Sequence, residues 1–323
     1  MSVRGARKVG WLVLGVLLNP LAALACPIEG AADQGLLKKP QTLKLPPTSL
    51  DKTQLWDSWL AIKQTPDGPL FIRYVLSATV GNYLPESATV NQGSSLYQKI
   101  VERDRHDFAY LRVFTSRDRG RTWQDEGPQL SLPKGPVWTG GTIFRGEQSK
   151  VFLTIPERRE GDWKQSIWLA NSRDGIRLQA PQEIMTPQEM QRRAQQQNLP
   201  YDFLSDANGH VSAFRDFFSF ELPASRSGQP SKVGGIVAAK QWVNGELLPT
   251  FAQLEASNTE LTQWQLRQPI RLEKLDLPTY ELEVPNLVSF GERQLLHFSV
   301  SYRNEAGEYI RGSYAAESTA PLG

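Results

Sequence analysis

The chain has 323 residues, a formal net charge of +2 and 40% hydrophobic residues. This length is enough for one large hydrophobic core or for two smaller domains. Because the charge is nearly balanced and no basic run stands out, the composition argues against nucleic-acid binding and against a polybasic membrane contact.

Residues 1–25 have the pattern of an export signal peptide. A basic start precedes an apolar run at residues 11–22, and Ala23-Leu24-Ala25 resembles a cleavage site. The apolar run is shorter than the ~20 residues that a membrane-spanning helix needs. We therefore expect a secreted or periplasmic protein. Cys26, the only cysteine, follows the site directly, so a lipoprotein anchored through Cys26 is the alternative, and neither case allows an internal disulfide.

Residues 26–50 are polar and contain prolines, which predicts an extended leader. From residue 51 to residue 323 strand patterns dominate, as at residues 71–75, 109–114 and 150–155. One helix is predicted, because Thr186-Pro187-Gln188-Glu189 is a capping box with proline at the first helical position. We expect this helix to end before Pro200.

A turn motif repeats weakly along the chain. Ser116-Arg-Asp118-Arg-Gly120-Arg-Thr122-Trp123 matches the Asp-box of sialidase-like propellers, and looser echoes lie at residues 171–175, 256–264 and 314–318. Turns of this kind at intervals of tens of residues predict an all-β fold of radially arranged four-stranded blades. An irregular β-sandwich is the alternative.

Four apolar or aromatic stretches are interrupted by polar groups, at residues 54–60, 137–142, 214–218 and 280–286. From Asp57 to Trp138 is 81 residues, from Trp138 to Asp216 is 78, and from Asp216 to Glu283 is 67. Each interval fits one blade with long connections, so we expect the four stretches to be the innermost strands. A fifth inner strand would start at roughly residue 350, beyond Gly323, which predicts a propeller of the five-bladed type with about four blades present.

The first of these stretches holds a carboxylate between two indoles. Strand alternation places Leu55, Asp57 and Trp59 on one face and Trp56, Ser58 and Leu60 on the other. A buried unpaired carboxylate costs several kcal/mol, so this aspartate needs partners or a function. The alternative is a carboxylate that caps a turn or pairs with an arginine.

Side by side around an axis, the four strands would gather acidic groups into one pocket: Asp57, Asp216 and Glu281 or Glu283, floored by Trp56 and Trp138. Two carboxylates flanking a sugar bond are the minimum set for glycoside cleavage, a third can bind sugar hydroxyls, and indoles offer apolar faces to a sugar ring. Two alternatives stay open: a local ion pair within Arg215-Asp216, and a solvated strand face carrying both glutamates.

In this order, the stretches resemble the motifs of glycoside hydrolase family 68, the levansucrases and inulosucrases. The matching residues are Trp56-Asp57-Ser58-Trp59, Trp138-Thr139-Gly140-Gly141, Phe214-Arg215-Asp216 and Glu281-Leu282-Glu283-Val284-Pro285. Members of this family are five-bladed propeller enzymes that move fructosyl units from sucrose. The resemblance extends from about residue 54 to the end of the chain.

The resemblance implies a role for each site residue. Asp57 is the expected nucleophile, Asp216 the transition-state stabiliser and Glu283 the acid/base. The expected sugar-binding residues are Trp56, Trp138, Thr139, Arg215 and Glu281. We expect the pKa of Glu283 to be raised by desolvation in a pocket of indoles and aliphatic groups.

The sequence also departs from the family pattern. Val284 replaces an arginine after the acid/base glutamate, Phe217 replaces a proline, and residues 235–239 lack a glutamate that the family has on that strand. Tyr280 replaces the aspartate that binds calcium in some members, so we expect no metal and no cofactor. The expected partners are sucrose and fructan acceptors, and we expect a monomer.

Three hypotheses follow. The first is a levansucrase-like fructosyltransferase acting on sucrose, the second a sucrose- or fructan-hydrolysing β-fructosidase, and the third a non-catalytic sugar-binding propeller. Histidine chemistry is not predicted, because His106, His210 and His297 lie far apart in the sequence and are interpreted as surface or turn residues.

Overall fold

A computed structural model of the protein describes residues 2–7, 49–50, 52–79, 105–130, 136–159, 162–204, 213–222, 232–272, 279–290, 293–304 and 306–318. These residues form four sheets arranged as the blades of a β-propeller. The predicted all-β propeller with about four blades and one short helix is therefore confirmed.

The strands are numbered in chain order, and β1 is Ser2–Arg7. The first blade contains β2 (Ser49–Leu50), β3 (Thr53–Thr65), β4 (Gly68–Thr79), β5 (Tyr110–Ser116) and β6 (Gln124–Leu130). The second contains β7 (Trp138–Arg145), β8 (Gln148–Arg159), β9 (Asp162–Ser172) and β10 (Gln182–Met185). Helix α1 (Pro187–Gln196) leads to the third blade, which contains β11 (Tyr201–Asp202), β12 (Arg215–Glu221), β13 (Val233–Val243), β14 (Glu246–Ala256) and β15 (Trp264–Leu266). The fourth contains β16 (Arg271–Leu272), β17 (Thr279–Phe290), β18 (Arg293–Arg303) and β19 (Tyr309–Ser318).

Strand β1 lies between β16 and β19 in the sheet of the fourth blade and pairs with both. It coincides with the start of the predicted export signal. The rest of that signal, Cys26 and the leader as far as residue 48 lie outside the described residues, so export, lipidation and these boundaries stay predictions. Among the described residues, no helix is both long and apolar enough to cross a membrane.

The predicted innermost strands are β3, β7, β12 and β17, and β7 contacts both β3 and β12 while β12 contacts β17. Apolar faces of successive blades pack together and form three core clusters. Between the second and third blades, for example, Phe152 and Phe217 pack with ring centroids 4.7 Å apart. This packing holds the inner strands next to one another around the axis.

The Asp-box prediction holds for the turn between β5 and β6. The Asp118 carboxylate accepts hydrogen bonds from the backbone N–H and the hydroxyl of Thr122, and the Trp123 indole donates to the carbonyl of Gly120. Two of the echoes form equivalent turns, at Asp174 between β9 and β10 and at Asn258 between β14 and β15. The third echo, at residues 314–318, lies within β19, and the residues that follow Ser318 are outside the described range.

Helix α1 begins as predicted, with Thr186 as its N-cap. The Thr186 hydroxyl accepts a hydrogen bond of 3.2 Å from the backbone N–H of Glu189, while the Glu189 side chain pairs with Arg193 instead of completing the capping box. We expect Thr186→Ala to lower the free energy of unfolding by about 1 kcal/mol, because one helix N–H loses its acceptor. Urea denaturation measures the change, and Thr186→Ser, which keeps the hydroxyl, should stay close to the wild type. Equal losses in both variants would contradict the capping role.

Candidate active site

Each innermost strand bulges where it faces the axis. The pairing register shifts between Trp138 and Gly140, around Asp57, after Arg215, and after Glu283. Three residues at these bulges have positive φ angles that non-glycine residues rarely adopt: Asp57 (26°), Asp216 (61°) and Val284 (50°). Bulges redirect side chains and are common beside active sites, and strained backbone concentrates there too.

The bulge at Asp57 overturns the predicted alternation. Trp56 pairs with Leu76 and Ser58 pairs with Val75, so Asp57 is an extra residue without a cross-strand partner. As a result Trp56 and Trp59, predicted on opposite faces, both pack against the core between the first and second blades. Trp59 stacks on Tyr74 there, with ring centroids 5.0 Å apart.

A cavity of about 300 Å³ lies where the inner strands meet. Seven of the eight predicted site residues line it: Asp57, Trp138, Thr139, Arg215, Asp216, Glu281 and Glu283. It is also lined by Leu76, His106, Gln165, Val284 and Arg311. The structure thus brings four carboxylates from three blades into one sugar-sized space.

Arg215 is the central cation of the cavity and is almost fully buried. Its guanidinium donates to the carboxylates of Glu281 at 2.7 Å and Glu283 at 2.9 Å, and it lies 3.8 Å from Asp216. Burial disfavours the charged guanidinium, but these three carboxylates outweigh it and raise the pKa of Arg215. The ion pair within Arg215-Asp216 therefore exists, but the closer bonds of Arg215 are to the fourth blade.

This pairing overturns one expectation about Glu283. Burial alone would raise the pKa of the Glu283 carboxyl, but the adjacent charge and hydrogen bond of Arg215 lower it. From the sequence, desolvation by apolar neighbours predicts a raised pKa for this carboxyl. That prediction is wrong for the free protein, because a guanidinium contacts the carboxylate directly.

Asp216 is buried and is held by neighbouring blades. Its carboxylate accepts a hydrogen bond from the Thr139 hydroxyl and another of 3.0 Å from the backbone N–H of Val284. Its own N–H donates to the Thr154 hydroxyl at 2.9 Å. Burial raises the pKa of Asp216 to about 6, against the opposing charge of Arg215 and these hydrogen bonds.

Thr139→Val is expected to raise the pKa of Asp216 further, because the lost hydrogen bond favours the ionised carboxylate. Carboxyl ¹³C NMR of aspartate-labelled protein follows this titration. The midpoint should move upward from about 6, while Thr139→Ser should restore it. A midpoint that falls or stays unchanged in Thr139→Val would show that the hydroxyl does not stabilise the charge.

Unlike Asp216, which is buried, Asp57 has its side chain exposed on the cavity wall. No described residue donates a hydrogen bond to its carboxylate. Solvent reaches it, yet the surrounding cavity walls still desolvate it, and this burial together with the charge of Glu283 raises the pKa of Asp57. Its oxygens are therefore open to a ligand.

An aromatic wall closes one side of the cavity. The His106 ring stands edge-on to Trp138 and to Trp56, with centroids 6.1 and 5.6 Å away, and Arg105 lies over the Trp56 ring at 4.8 Å. Trp56, predicted to bind sugar, is not among the residues that line the cavity. It stands behind His106, and its indole N–H is buried without a partner among the described residues.

Several residues that line the cavity carry no recognisable motif in the sequence. His106 lies in a 3-10 turn at Arg105–Phe108. This position agrees with its interpretation as a turn residue, but the side chain also lines the cavity. His297 is in β18 and half-buried, so its interpretation as a surface or turn residue is wrong. Gln165 and Arg311 come from β9 and β19 and not from inner strands. No motif marked them, because outer strands reach the axis only through the register of the folded sheet.

Fold and site together define a β-propeller with an acidic cavity on its axis. Comparison with protein-family models and with curated proteins gave no match to this sequence. Among solved structures, a sucrose-6-phosphate hydrolase from Lactobacillus gasseri matches with 16% identity and a TM-score of 0.53, over 81% of this chain and 44% of that one. An N-acetylgalactosamine deacetylase from F. plautii matches with 10% identity and a TM-score of 0.50, over 86% and 76% of the two chains.

A GH32 β-fructofuranosidase from Bombyx mori is more distant, with 12% identity and a TM-score of 0.46 over 76% of this chain and 43% of that one. The chain thus spans less than half the length of the Lactobacillus and Bombyx proteins. At their low identities, the Lactobacillus and F. plautii matches show a shared fold alone.

Proposed function

We propose that the protein is a retaining, levansucrase-like enzyme that cleaves sucrose and transfers the fructosyl group to a fructan hydroxyl or to water. The observation that carries the proposal is the difference between three carboxylates in one cavity. Asp57 is open to a ligand, Asp216 is fixed by hydrogen bonds from neighbouring blades, and Glu283 is paired with a cation. A double displacement needs one free nucleophile and one proton carrier, and a third, fixed carboxylate can hold the sugar hydroxyls.

In the first step the Asp57 carboxylate attacks the anomeric carbon of the fructosyl unit, and the bond to the glucose oxygen breaks. Glu283 gives its proton to that oxygen, so glucose leaves and a fructosyl ester on Asp57 remains. In the second step Glu283 takes a proton from an acceptor hydroxyl or water, the acceptor oxygen attacks, and Asp57 is released. Asp216 binds fructosyl hydroxyls, because its carboxylate has about four acceptor sites and the protein occupies two of them.

The proton on Glu283 must be explained, since Arg215 favours its ionised form in the free protein. A bound sugar excludes water from the cavity, and this desolvation raises the pKa of a carboxyl group. We infer that Glu283 takes up its proton in the sugar complex. Export, proposed from residues 1–25, would place the enzyme where sucrose outside the cytoplasm is available.

Sugar binding without cleavage is the second candidate. The pairing of Arg215 with Glu283 favours it, because a permanently ionised Glu283 cannot protonate a leaving group.

Incubation of the purified protein with sucrose separates the candidates when glucose and fructose are assayed independently. Glucose in excess of fructose indicates transfer, and equal amounts indicate hydrolysis. If the protein binds sucrose but releases neither sugar, the catalytic proposal fails and the binding function remains.

A further inference from the structure

Arg311 enters the cavity from an unexpected strand. It belongs to β19, which is separated from the inner strand β17 by β18. Across the sheet, Glu281 pairs with Ser301 and Ser301 pairs with Arg311. Directly opposed residues project from the same face of a sheet, so these three side chains form one row that leads from the axis outward.

The middle of this row leaves room for a long side chain. Neighbouring strands lie about 4.8 Å apart, so Arg311 starts two strand spacings from the backbone of Glu281. Ser301 between them is small, and the adjacent row of Glu283, Ser299 and Ser313 also has serine in the middle. Arg311 therefore extends over Ser301 to the cavity, which it lines together with Asp57 and Glu283.

The charge of Arg311 acts on two carboxylates of the site. Although desolvation is the largest influence on both groups, Arg311 lowers the pKa of Asp57 and of Glu283. Arg215 is less available to a ligand than Arg311, because Arg215 is buried and bonded to Glu281 and Glu283. Arg311 is exposed, and five N–H donors allow a guanidinium to bind a ligand while it keeps protein contacts.

We propose that Arg311 is a specificity residue that donates hydrogen bonds to the sugar leaving, or accepting, the fructosyl group. The inference rests on the proposed function. The sugar that becomes linked to Asp57 must reach Asp216 and Arg215, which are buried at the base of the cavity. The second sugar then lies toward solvent beside Glu283, which protonates the oxygen between the two sugars, and Arg311 is the exposed guanidinium on that side.

The test compares two substrates in the full chain. Sucrose carries a glucosyl leaving group, whereas methyl β-fructofuranoside carries only a methyl group. Arg311→Ala should lower kcat/KM for sucrose roughly 10- to 100-fold, the loss expected for a hydrogen bond from a charged group. It should change kcat/KM for the methyl fructoside less than about threefold, because contacts with the fructosyl unit remain. Arg311→Lys should recover part of the loss. Arg192→Ala, on the exposed side of α1, is the control, because it removes the same single positive charge away from the cavity.

Equal losses on both substrates would overturn the inference, because Arg311 would then act on the catalytic carboxylates or on the fold. Unchanged values on both substrates would overturn it as well. If the unaltered protein binds sugars but cleaves neither substrate, the proposed function fails and calorimetric titration decides the inference separately. Arg311→Ala should then weaken the binding of sucrose but not of fructose, and a wild type that binds neither sugar overturns both proposals.

Discussion

Asp57→Asn is expected to lower kcat for sucrose cleavage by roughly 10⁴-fold or more, the scale seen when a covalent nucleophile is removed. The amide keeps the shape of the side chain but cannot form the fructosyl ester. Asparagine also tolerates the positive φ of 26° at this position, so the fold should persist. Sucrose binding should change little, because Asp216, Arg215 and Thr139 remain in place.

Two measurements make this result specific to the nucleophile. Thermal melting should give similar midpoints for the variant and the wild type, and calorimetric titration should still detect sucrose. As a matched control, Asp125→Asn removes a carboxylate that pairs with Arg112 in the outer part of the first blade, and it should leave turnover within about twofold of the wild type. Undiminished glucose release by Asp57→Asn would refute the assignment.

Arg215→Met should cause the largest loss of stability, about 3–5 kcal/mol in the free energy of unfolding, the cost typical of removing one partner from a buried ion pair. The side chain is 8% exposed, and its removal leaves Glu281, Glu283 and Asp216 without their shared cation. Turnover should also collapse, because the sugar-binding carboxylates repel one another without it. Urea denaturation and the sucrose assay measure the two effects.

The stability loss should depend on pH in a defined direction. In the wild type the pKa of Glu283 is lowered, so its contribution to stability is present above the ordinary glutamate value and is lost as the pH falls through the lower folded value. The gap between wild type and Arg215→Met should therefore be wide at neutral pH and narrow in acid. Arg112→Met, which breaks a partly exposed pair with Asp125, should cost only about 1 kcal/mol or less. A gap that widens in acid would contradict the role of Arg215 as the shared cation.

The positions of the inner strands could be predicted because each motif recurs after about one blade of sequence. Polar residues on otherwise apolar strands then had to face the axis or solvent. The spacing placed Asp57, Asp216 and Glu281 or Glu283 in one pocket, and the family resemblance added Thr139 and Arg215, all of which line the cavity. In a propeller, inner strands that are one blade apart in the sequence lie next to one another around the axis, so regularly spaced motifs come together.

The details inside the cavity could not be predicted in the same way. Alternation fails at Asp57 because a bulge is defined by the partner strand, and the chain alone does not reveal that Trp56 and Trp59 share a face. The lowered pKa of Glu283 depends on the 2.9 Å contact with Arg215, a distance that the folded sheets set. His106 and Arg311 reach the cavity from a connecting turn and an outer strand, where no periodic pattern marks them.

The most direct test of the account is to trap the covalent intermediate. Wild-type protein is mixed with sucrose, quenched in acid during the first turnovers, digested and analysed by peptide mass spectrometry. We expect a mass increase of one fructosyl unit on the peptide that contains Asp57. The same peptide from the Asp57→Asn variant should show no increase. Sucrose cleavage without any adduct, or an adduct on the peptide that contains Asp216, would contradict it.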